Sequence, residues 1–434
     1  MTTKFGRLVP DPPTRQHLLR SEANAVDLPL AGGGISSSGR NMRSLDEFAT
    51  AKLAELERNS LRRELVETVR VTGIWMLRNG RRLLSFCCND YLNLTHHPAV
   101  VEAATQALRL YGTGAGASRL VTGNHPLYAE LEHRLAQVKE AQAACVFGSG
   151  YLANLGIIPA LIGPEDLILI DELAHACLWG GSRLARAAVV PYRHADLGHV
   201  EVLLSELRKR YDRVLIATDG VFSMDGDIAP LHGLAALAQH HDAWLLSDDA
   251  HGLGIVGGGR GSSFVQGKKA DVPLQMGTLS KALGAYGGYI CASATVVDLV
   301  RNRARTLIYS TGLPPAAVAA AIAALDLIEQ EPEYAALPLA KAKAFARSAQ
   351  LPEPESPIVP VLLGEAEAAL AASQLLEENG FLVTAIRPPT VPQGTSRLRF
   401  TFTAQHPDEA INRLAELVRS RVLVRSGALA IPAQ

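Results

Sequence analysis

The chain has 434 residues, enough for a large core and for two or three domains of ordinary size. Hydrophobic residues make up 48% and charged residues 20%, which is the usage of an ordinary soluble globular protein and excludes a disordered or fibrous one. A formal net charge of −1 gives no general attraction to polyanions, so nucleic acid and anionic membrane are set aside as partners.

Residues 1–44 are rich in Pro, Gly and Ser, end in AGGGISSSGRNMRS, and predict a flexible arm without the apolar core of a signal peptide. No apolar run is long enough to span a bilayer. The cysteines Cys87, Cys88, Cys145, Cys177 and Cys291 form no CxxC pair and are odd in number. They predict a reduced, cytoplasmic protein in which each thiol is a small apolar filler.

From Leu45 a helical pattern begins, with Leu45, Phe48, Leu53, Leu56 and Leu61 at near-helical spacing and Ser44 as a cap. The loop CCNDYLNLTHHP follows, then a helix at about 98–111. Between about 125 and 330 helices alternate with short apolar runs: LILI (167–170), RAAVVPYR (186–193), RVLIATD (213–219), AWLLSDD (243–249), VPLQMGT (272–278) and GGYICAS (287–293). This alternation predicts an α/β architecture, a largely parallel sheet covered on both faces, with ligands at the carboxyl ends of its strands. The Ala-rich segment at 314–331 predicts a helix opened by proline and leading out of this domain. Strands near 357–363, 382–386 and 397–403, with helices around them, predict a smaller α+β domain. The division expected is an arm (1–44), a helix and segment associated with the small domain (45–92), a large domain (93–325) and the small C-terminal domain (326–434).

Four polar clusters fall at or just beyond predicted strand ends: Asp219 with Ser223, Asp248 with His251, Thr278 with Lys281, and His175 in DELAHAC. Singly, each has a plain explanation as a helix cap or a satisfied polar group. Their coincidence along one sheet edge points to a site. An amine in an apolar pocket loses its charge readily, and the neutral amine is a nucleophile towards aldehydes, so Lys281 can hold an aldehyde cofactor as a Schiff base. Pyridoxal phosphate needs in addition an acid partner for its ring nitrogen, donors for its phosphate and a flat group against its face. Asp248 can meet the ring nitrogen, Ser223 and His251 the phenolic oxygen, and the SGYLAN turn (149–154) with Thr278 the phosphate. GAGAS (114–118) and GGGRG (257–261) lack a nucleotide-binding context, and the His-His pairs at 96–97 and 240–241 lack metal-site spacing, so no metal is expected.

The segments NDYLNL, YGTGAGASRLVTGNHPLYAELE, FGSGYLAN, DELAHA, TDGVFSMDGDIAPL, DDAHGLG, GTLSKALG, YSTGLPP and AIRPPTVPQGTSRLRFTFT occur in the order found in α-oxoamine synthases. Over about 45–420 the chain resembles this family of pyridoxal-phosphate enzymes of fold type I. The resemblance implies a large domain with a mostly parallel seven-stranded sheet between helices, a smaller α+β C-terminal domain, and a homodimer with active sites at the interface. It also implies decarboxylative condensation of an amino acid with an acyl thioester. Position by position it places Lys281 as cofactor anchor, Asp248 at the pyridinium nitrogen, His175 stacked on the ring, and Ser223 and His251 at the phenolic oxygen. Gly150, Tyr151 and Thr278 are placed at the phosphate, with Thr311 of the partner subunit. Asn89 and Arg399 match residues near the substrate carboxylate. Arg397 shares that strand face, so the motif and not geometry chooses between the two arginines. Arg387 and Arg62 match arginines at the substrate entrance, where they can meet the acyl donor's anionic groups.

The RPPTVP stretch most resembles the biotin-pathway member of the family, which implies L-alanine and a pimeloyl thioester, on CoA or carrier protein, as substrates. Glycine with acetyl-CoA or succinyl-CoA, serine with a long acyl donor, a fold type I aminotransferase, and a non-catalytic cofactor-binding protein are the alternatives. The family's SHAS reads AHAC here, its HND reads HAD at 194–196, and NDYLGL reads NDYLNL. Ala174 and Asn93 are therefore expected to bear on substrate fit more than on cofactor chemistry.

Overall fold

The computed structural model describes residues 44–424, so the expected arm lies, apart from Ser44, outside the described residues. The chain divides into two compact units, one ending at Ala54 and one beginning at Glu55. Helix α1 (Leu45–Arg58) starts with a reciprocal cap. Ser44 Oγ accepts from Glu47 N at 3.2 Å while Glu47 Oε2 accepts from Ser44 N at 3.1 Å. Leu61, expected to continue its apolar stripe, lies past its end, and the helix buries none of its residues.

In the second unit β1 (Thr68–Thr72), β2 (Trp75–Arg78) and β3 (Arg81–Ser85) form an antiparallel meander that sequence reading missed. Helices α2 (Pro98–Tyr111) and α3 (Leu127–Val138) follow, α2 at its predicted bounds and opened by Pro98. Next come β4 (Ala143–Phe147), α4 (Gly150–Leu161), β5 (Leu167–Asp171), α5 (Ala176–Ala185), β6 (Ala188–Tyr192) and α6 (Leu197–Leu207). They continue into β7 (Val214–Asp219), α7 (Leu231–His240), β8 (Trp244–Asp248), β9 (Leu274–Thr278) and β10 (Gly288–Ala292). These strands build a seven-stranded sheet in the order β4-β10-β9-β8-β7-β5-β6, in which β10 alone runs antiparallel to its neighbours. The carboxyl ends of β4, β5, β7, β8 and β9 therefore share one edge.

The continuous apolar runs reflect burial on both faces. Ile168 and Ile170 of β5 pack towards α4 and α5, whereas Leu167 and Leu169 pack towards α6 and α7. β4 alternates likewise, with Cys145 and Phe147 on the first face and Ala144 and Val146 against α2, α3 and the long helix described next.

After β10 the chain forms α8 (Ala294–Arg303), the short α9 (Arg305–Ile308), α10 (Pro315–Gln330) and α11 (Pro332–Ala349). It ends with β11 (Ile358–Gly364), α12 (Ala366–Glu378), β12 (Phe381–Leu382), β13 (Thr384–Ile386), β14 (Ser396–Thr401) and α13 (Asp408–Leu417). β11, β14 and β13 form an antiparallel sheet around a core containing Phe345, Phe400 and Phe402. β12 pairs in parallel with β3 and so joins the early meander to the last third of the chain. Among the described residues no helix is long and apolar enough to cross a membrane.

One buried and one half-buried ionic cluster fix the loops at the carboxyl edge. Lys139 Nζ, fully buried, lies 2.6 Å from Asp249 Oδ2 and also donates to the Arg260 carbonyl at 2.8 Å. The Asp249 carboxylate accepts from Ser262 N at 3.0 Å, and the backbone crowds it: a Cβ on Gly252 would sit 1.8 Å from Asp249 Oδ1, and one on Gly261 1.7 Å from Oδ2. This pair anchors the turn that carries Asp248 and His251. The loop after β7 is held by His194, whose Nδ1 lies 3.0 Å from Asp171 and whose Nε2 lies 2.8 Å from Asp227. Burial disfavours the imidazolium, but the hydrogen bonds and charge of Asp171 and Asp227 overcome this and raise His194 to about 10.

Removing one partner of a buried pair leaves the other charge uncompensated, so Lys139→Met is expected to cost about 3–5 kcal/mol in chemical denaturation. A loss under about 1 kcal/mol, the range of an exposed pair, would contradict this account. The raised folded-state pKa of His194 adds stability that is fully present below the ordinary value of 6.5 and is lost as pH rises through about 10. The wild type should therefore lose stability between about pH 6 and pH 10 more steeply than His194→Gln; parallel profiles would refute the assignment.

Candidate active site

Asp219 and Asp248 stand side by side in parallel register at the ends of β7 and β8. Both are buried, and burial together with the Asp248 charge pushes Asp219 well above the usual carboxylate range. Asp248 is held from three sides: Asn154 Nδ2 donates to its Oδ2 at 2.7 Å, the Ala250 N–H to its Oδ1 at 3.0 Å, and the Cys177 thiol lies 3.5 Å from Oδ2. The carboxylate thus keeps one orientation towards the cavity beside it.

That cavity, about 260 Å³, is bounded by Lys281, Asp248, His175, Ser223, His251, Tyr151 and Thr278, among others. Lys281 Nζ lies 2.8 Å from His251 Nε2. Burial lowers the Lys281 pKa, Arg399 adds to the lowering and Asp248 opposes it. Burial likewise lowers His251 well below its ordinary value. Burial thus disfavours the charged form of both the amine and the imidazole.

His175 is the N-cap of α5, its Nδ1 accepting from Cys177 N at 3.3 Å. The Nδ1 lone pair is therefore occupied, which places the ring hydrogen on Nε2 of an imidazole that burial keeps neutral.

At the other end of the cavity α4 begins. Ser149 Oγ accepts from Leu152 N at 3.2 Å, while Gly150 N and Tyr151 N, by their position, have no acceptor within the helix. A Cβ on Gly150 would lie 3.2 Å from Thr278 Cβ and 3.3 Å from Met276 Cε, so glycine lets the helix start close against β9. Thr278 Oγ1 donates to the Gly287 carbonyl at 2.7 Å, which leaves the Ser280 hydroxyl, 2.8 Å from Thr278 Oγ1, as the nearer adjustable donor. An amine, a fixed carboxylate, a flat neutral imidazole and a helix N-terminus with hydroxyls around one cavity fit pyridoxal phosphate.

Arg399 is buried just outside this cavity, donating from Nε to the Ser223 carbonyl and from Nη1 to Asn89 Oδ1 at 3.2 Å. Arg397, left as the alternative by strand geometry, is ion-paired with Asp225. Arg62 and Arg387 lie apart from the cavity. Arg62 is 45% exposed and ion-paired with Glu57 at 2.6 Å, and Arg387 donates to the carbonyls of Ser60 and Arg62. Thr311 is exposed and forms an isolated bridge with Ser118, so it is not brought to the cavity of its own chain.

The departures expected to bear on substrate fit lie off the cavity wall. Asn93 adopts a left-handed turn at φ 55°, a conformation asparagine tolerates, and its Oδ1 accepts from Gln405 N at 3.1 Å. Ala174 packs in an apolar core cluster, and Ala195 occupies a left-handed position at φ 53° with its N–H on Asp171. The substitution that does reach the cavity is Cys177, expected only as a filler; its sulfur lies 2.8 Å from His175 Nδ1 and 3.1 Å from Asn154 Nδ2. Sequence reading also missed Asn154, Ser280 and Tyr91. Asn154 is one helical turn after Gly150 and Tyr91 is two residues after Asn89, spacings that placed both within reach of a residue already singled out.

Residues 81–418 match the family model described as aminotransferase class I and II. An 8-amino-7-oxononanoate synthase of Methylocella silvestris is 65% identical over 80% of this chain and 99% of its own length. One from Beijerinckia indica is 59% identical over 87% of this chain and 98% of its own. A solved serine palmitoyltransferase from S. paucimobilis, with a bound PLP-myriocin aldimine, superposes with a TM-score of 0.82 at 29% identity, covering 89% of this chain and all of that one. The chain belongs to the aminotransferase class I and II family and, within it, to the α-oxoamine synthases: it is a fold type I, pyridoxal-phosphate-dependent acyltransferase similar to 8-amino-7-oxononanoate synthases.

Proposed function

We propose that the chain condenses L-alanine with a pimeloyl thioester, releasing CO2 and free thiol and forming 8-amino-7-oxononanoate, as in biotin biosynthesis. The observation that carries this reading is the buried Lys281 amine held at 2.8 Å from His251 in a cavity whose other walls supply Asp248 and His175. The names of the relatives at 59–65% identity support the choice within the family.

In this reading Lys281 first anchors the cofactor aldehyde and then, once released by the incoming amino acid, takes the proton from its α-carbon. Bound pyridoxal phosphate supplies the electron sink for that carbanion. Asp248, its oxygens fixed by Asn154 and Ala250, keeps the proton on the ring nitrogen. His175, on the cavity wall, would lie against the ring and offer its Nε2–H as a donor to a substrate oxygen. Ser223 and His251 donate to the phenolic oxygen, and Gly150, Tyr151, Thr278 and Thr311 of the partner subunit bind the phosphate, which makes a homodimer the working unit. Arg399 and Asn89 receive the substrate carboxylate. Arg387 and Arg62, whose backbone and side chains lie together, meet the anionic carrier of the acyl group.

Lys281→Ala is expected to abolish the absorbance of lysine-bound cofactor and to lower turnover by at least ~10²-fold. Retention of both would remove Lys281 from the mechanism. Thiol release measured across a matrix of amino acids and acyl donors should be fastest for L-alanine with a pimeloyl thioester. A preference for glycine with acetyl-CoA or succinyl-CoA, or for serine with a long acyl donor, would reassign the substrate. Sustained amino transfer to a 2-oxo acid without thiol release would reassign the reaction.

A further inference from the structure

Tyr91 has no part in the scheme above, yet it is completely buried and its hydroxyl joins two residues that do. Its oxygen lies 2.7 Å from His251 Nδ1, 3.4 Å from Arg399 Nη2 and 3.5 Å from Asn89 Oδ1. The directions of these hydrogen bonds follow from what each group can do. A guanidinium has donors only, so Arg399 donates to the Tyr91 oxygen. The single phenolic hydrogen must then point at an acceptor. Asn89 Oδ1 is distant and already accepts from Arg399 at 3.2 Å, which leaves His251 Nδ1 at 2.7 Å. With Nδ1 accepting, the hydrogen of a neutral His251 sits on Nε2, and Nε2 faces Lys281 Nζ at 2.8 Å.

The geometry points to Tyr91 as a positioning residue: a one-way chain of donors, Arg399 to Tyr91 to His251 to Lys281, holds His251 with its hydrogen on Nε2 and directed at the cofactor side. An ammonium on Lys281 would need an acceptor where this chain presents a donor, so the same arrangement favours the free amine. The lowered pKa directions of His251 and Lys281 agree. The charged and titratable neighbours of the pair are Arg399 and His175 around His251, and Asp248, Asp219, Cys177 and Arg399 around Lys281. Among the described residues the hydrogen-bond partner of His251 Nδ1 is the Tyr91 hydroxyl, so Tyr91 sets the tautomer. With cofactor bound, the same Nε2–H would face its phenolic oxygen and would stabilise the anionic form of that oxygen.

This inference rests on the reading of Lys281 as anchor and base, but its test can fail while that reading stands. In the full-length holoenzyme with isotopically labelled histidine, nitrogen NMR should show His251 with Nδ1 bare and Nε2 protonated, its signals identified by their loss in His251→Asn. The opposite tautomer, or an imidazolium, would overturn the proposal without touching the role of Lys281. Tyr91→Phe keeps the buried ring and removes the donor. The pH titration of the lysine-bound cofactor's absorbance should then move upward by about half a unit or more, because the phenolic anion loses part of its stabilisation. In a His251→Asn background the same substitution should add no further shift. An unmoved titration in Tyr91→Phe, or an equal shift in both backgrounds, would show that Tyr91 does not act through His251. Should Tyr91→Phe not fold, the tautomer measured in the wild type decides the matter.

Discussion

Desolvation at the carboxyl edge of the central sheet is the constraint on which the rest depends. An ammonium at the end of a buried strand is unfavourable, and burial lowers the pKa both of Lys281 and of the His251 beside it. The same dry edge carries two adjacent aspartates, and the outcome is a division of labour. Asp248 is surrounded by donors, whereas Asp219, which accepts from the His175 N–H at 3.3 Å, is pushed towards its neutral form. Nucleophile and fixed carboxylate are thus products of one environment acting on different neighbours.

That edge is stiffened from below and from the side. The Lys139–Asp249 pair lies next in sequence to Asp248, so the turn bearing His251 is tied to the core by a charge pair that water does not reach. The loop after β7 is clamped between His194 on one side and the C-terminal sheet on the other, where Arg397 meets Asp225 and Ile228 N donates to Glu355 at 2.9 Å. Ser223 therefore stands on a loop with little freedom, and its carbonyl in turn fixes Arg399. The Lys281 cavity and the Arg399 guanidinium beside it share that one loop as a wall.

Much of this was legible in the sequence, and the omissions have physical reasons. The buried strands β5, β7, β8 and β9 read as continuous apolar runs because helices cover both faces. β4, with the sequence AACVF, was passed over because alanine carries no strand signal and the neighbouring text is helical. The meander β1–β3 was missed because it exposes apolar Val69, Val71 and Leu77 beside Arg81 and Arg82, so its strands show no clean alternation of apolar and polar residues. Lys281, Asp248, His175 and His251 were marked by strand ends and by motif. Cys177, Asn154 and Tyr91 were not, because their meaning lies in partners 71, 94 and 160 residues away. The altered Asn93 and Ala174 drew attention as chemistry and turn out to be a backbone turn and a core methyl, a distinction that only the fold makes.

The pairing of β12 with β3 and the contact of Arg399 with Asn89 across 310 residues impose an order in time. During synthesis the central sheet is complete once β10 has emerged, so Lys281, Asp248 and His175 can close around one another while the last third of the chain is still unmade. The outer edge of β3 and the Asn89 side chain have no such option and must wait for β12 and β14. At elongation rates of about 5–20 residues per second, the roughly 300 residues between β3 and β14 make this delay roughly 15–60 s, during which an exposed strand edge is available to any other chain nearby. The nascent protein thus assembles the lysine end of its cavity before the arginine beside it, and its period of greatest exposure to misassembly belongs to the segment that later meets Arg399.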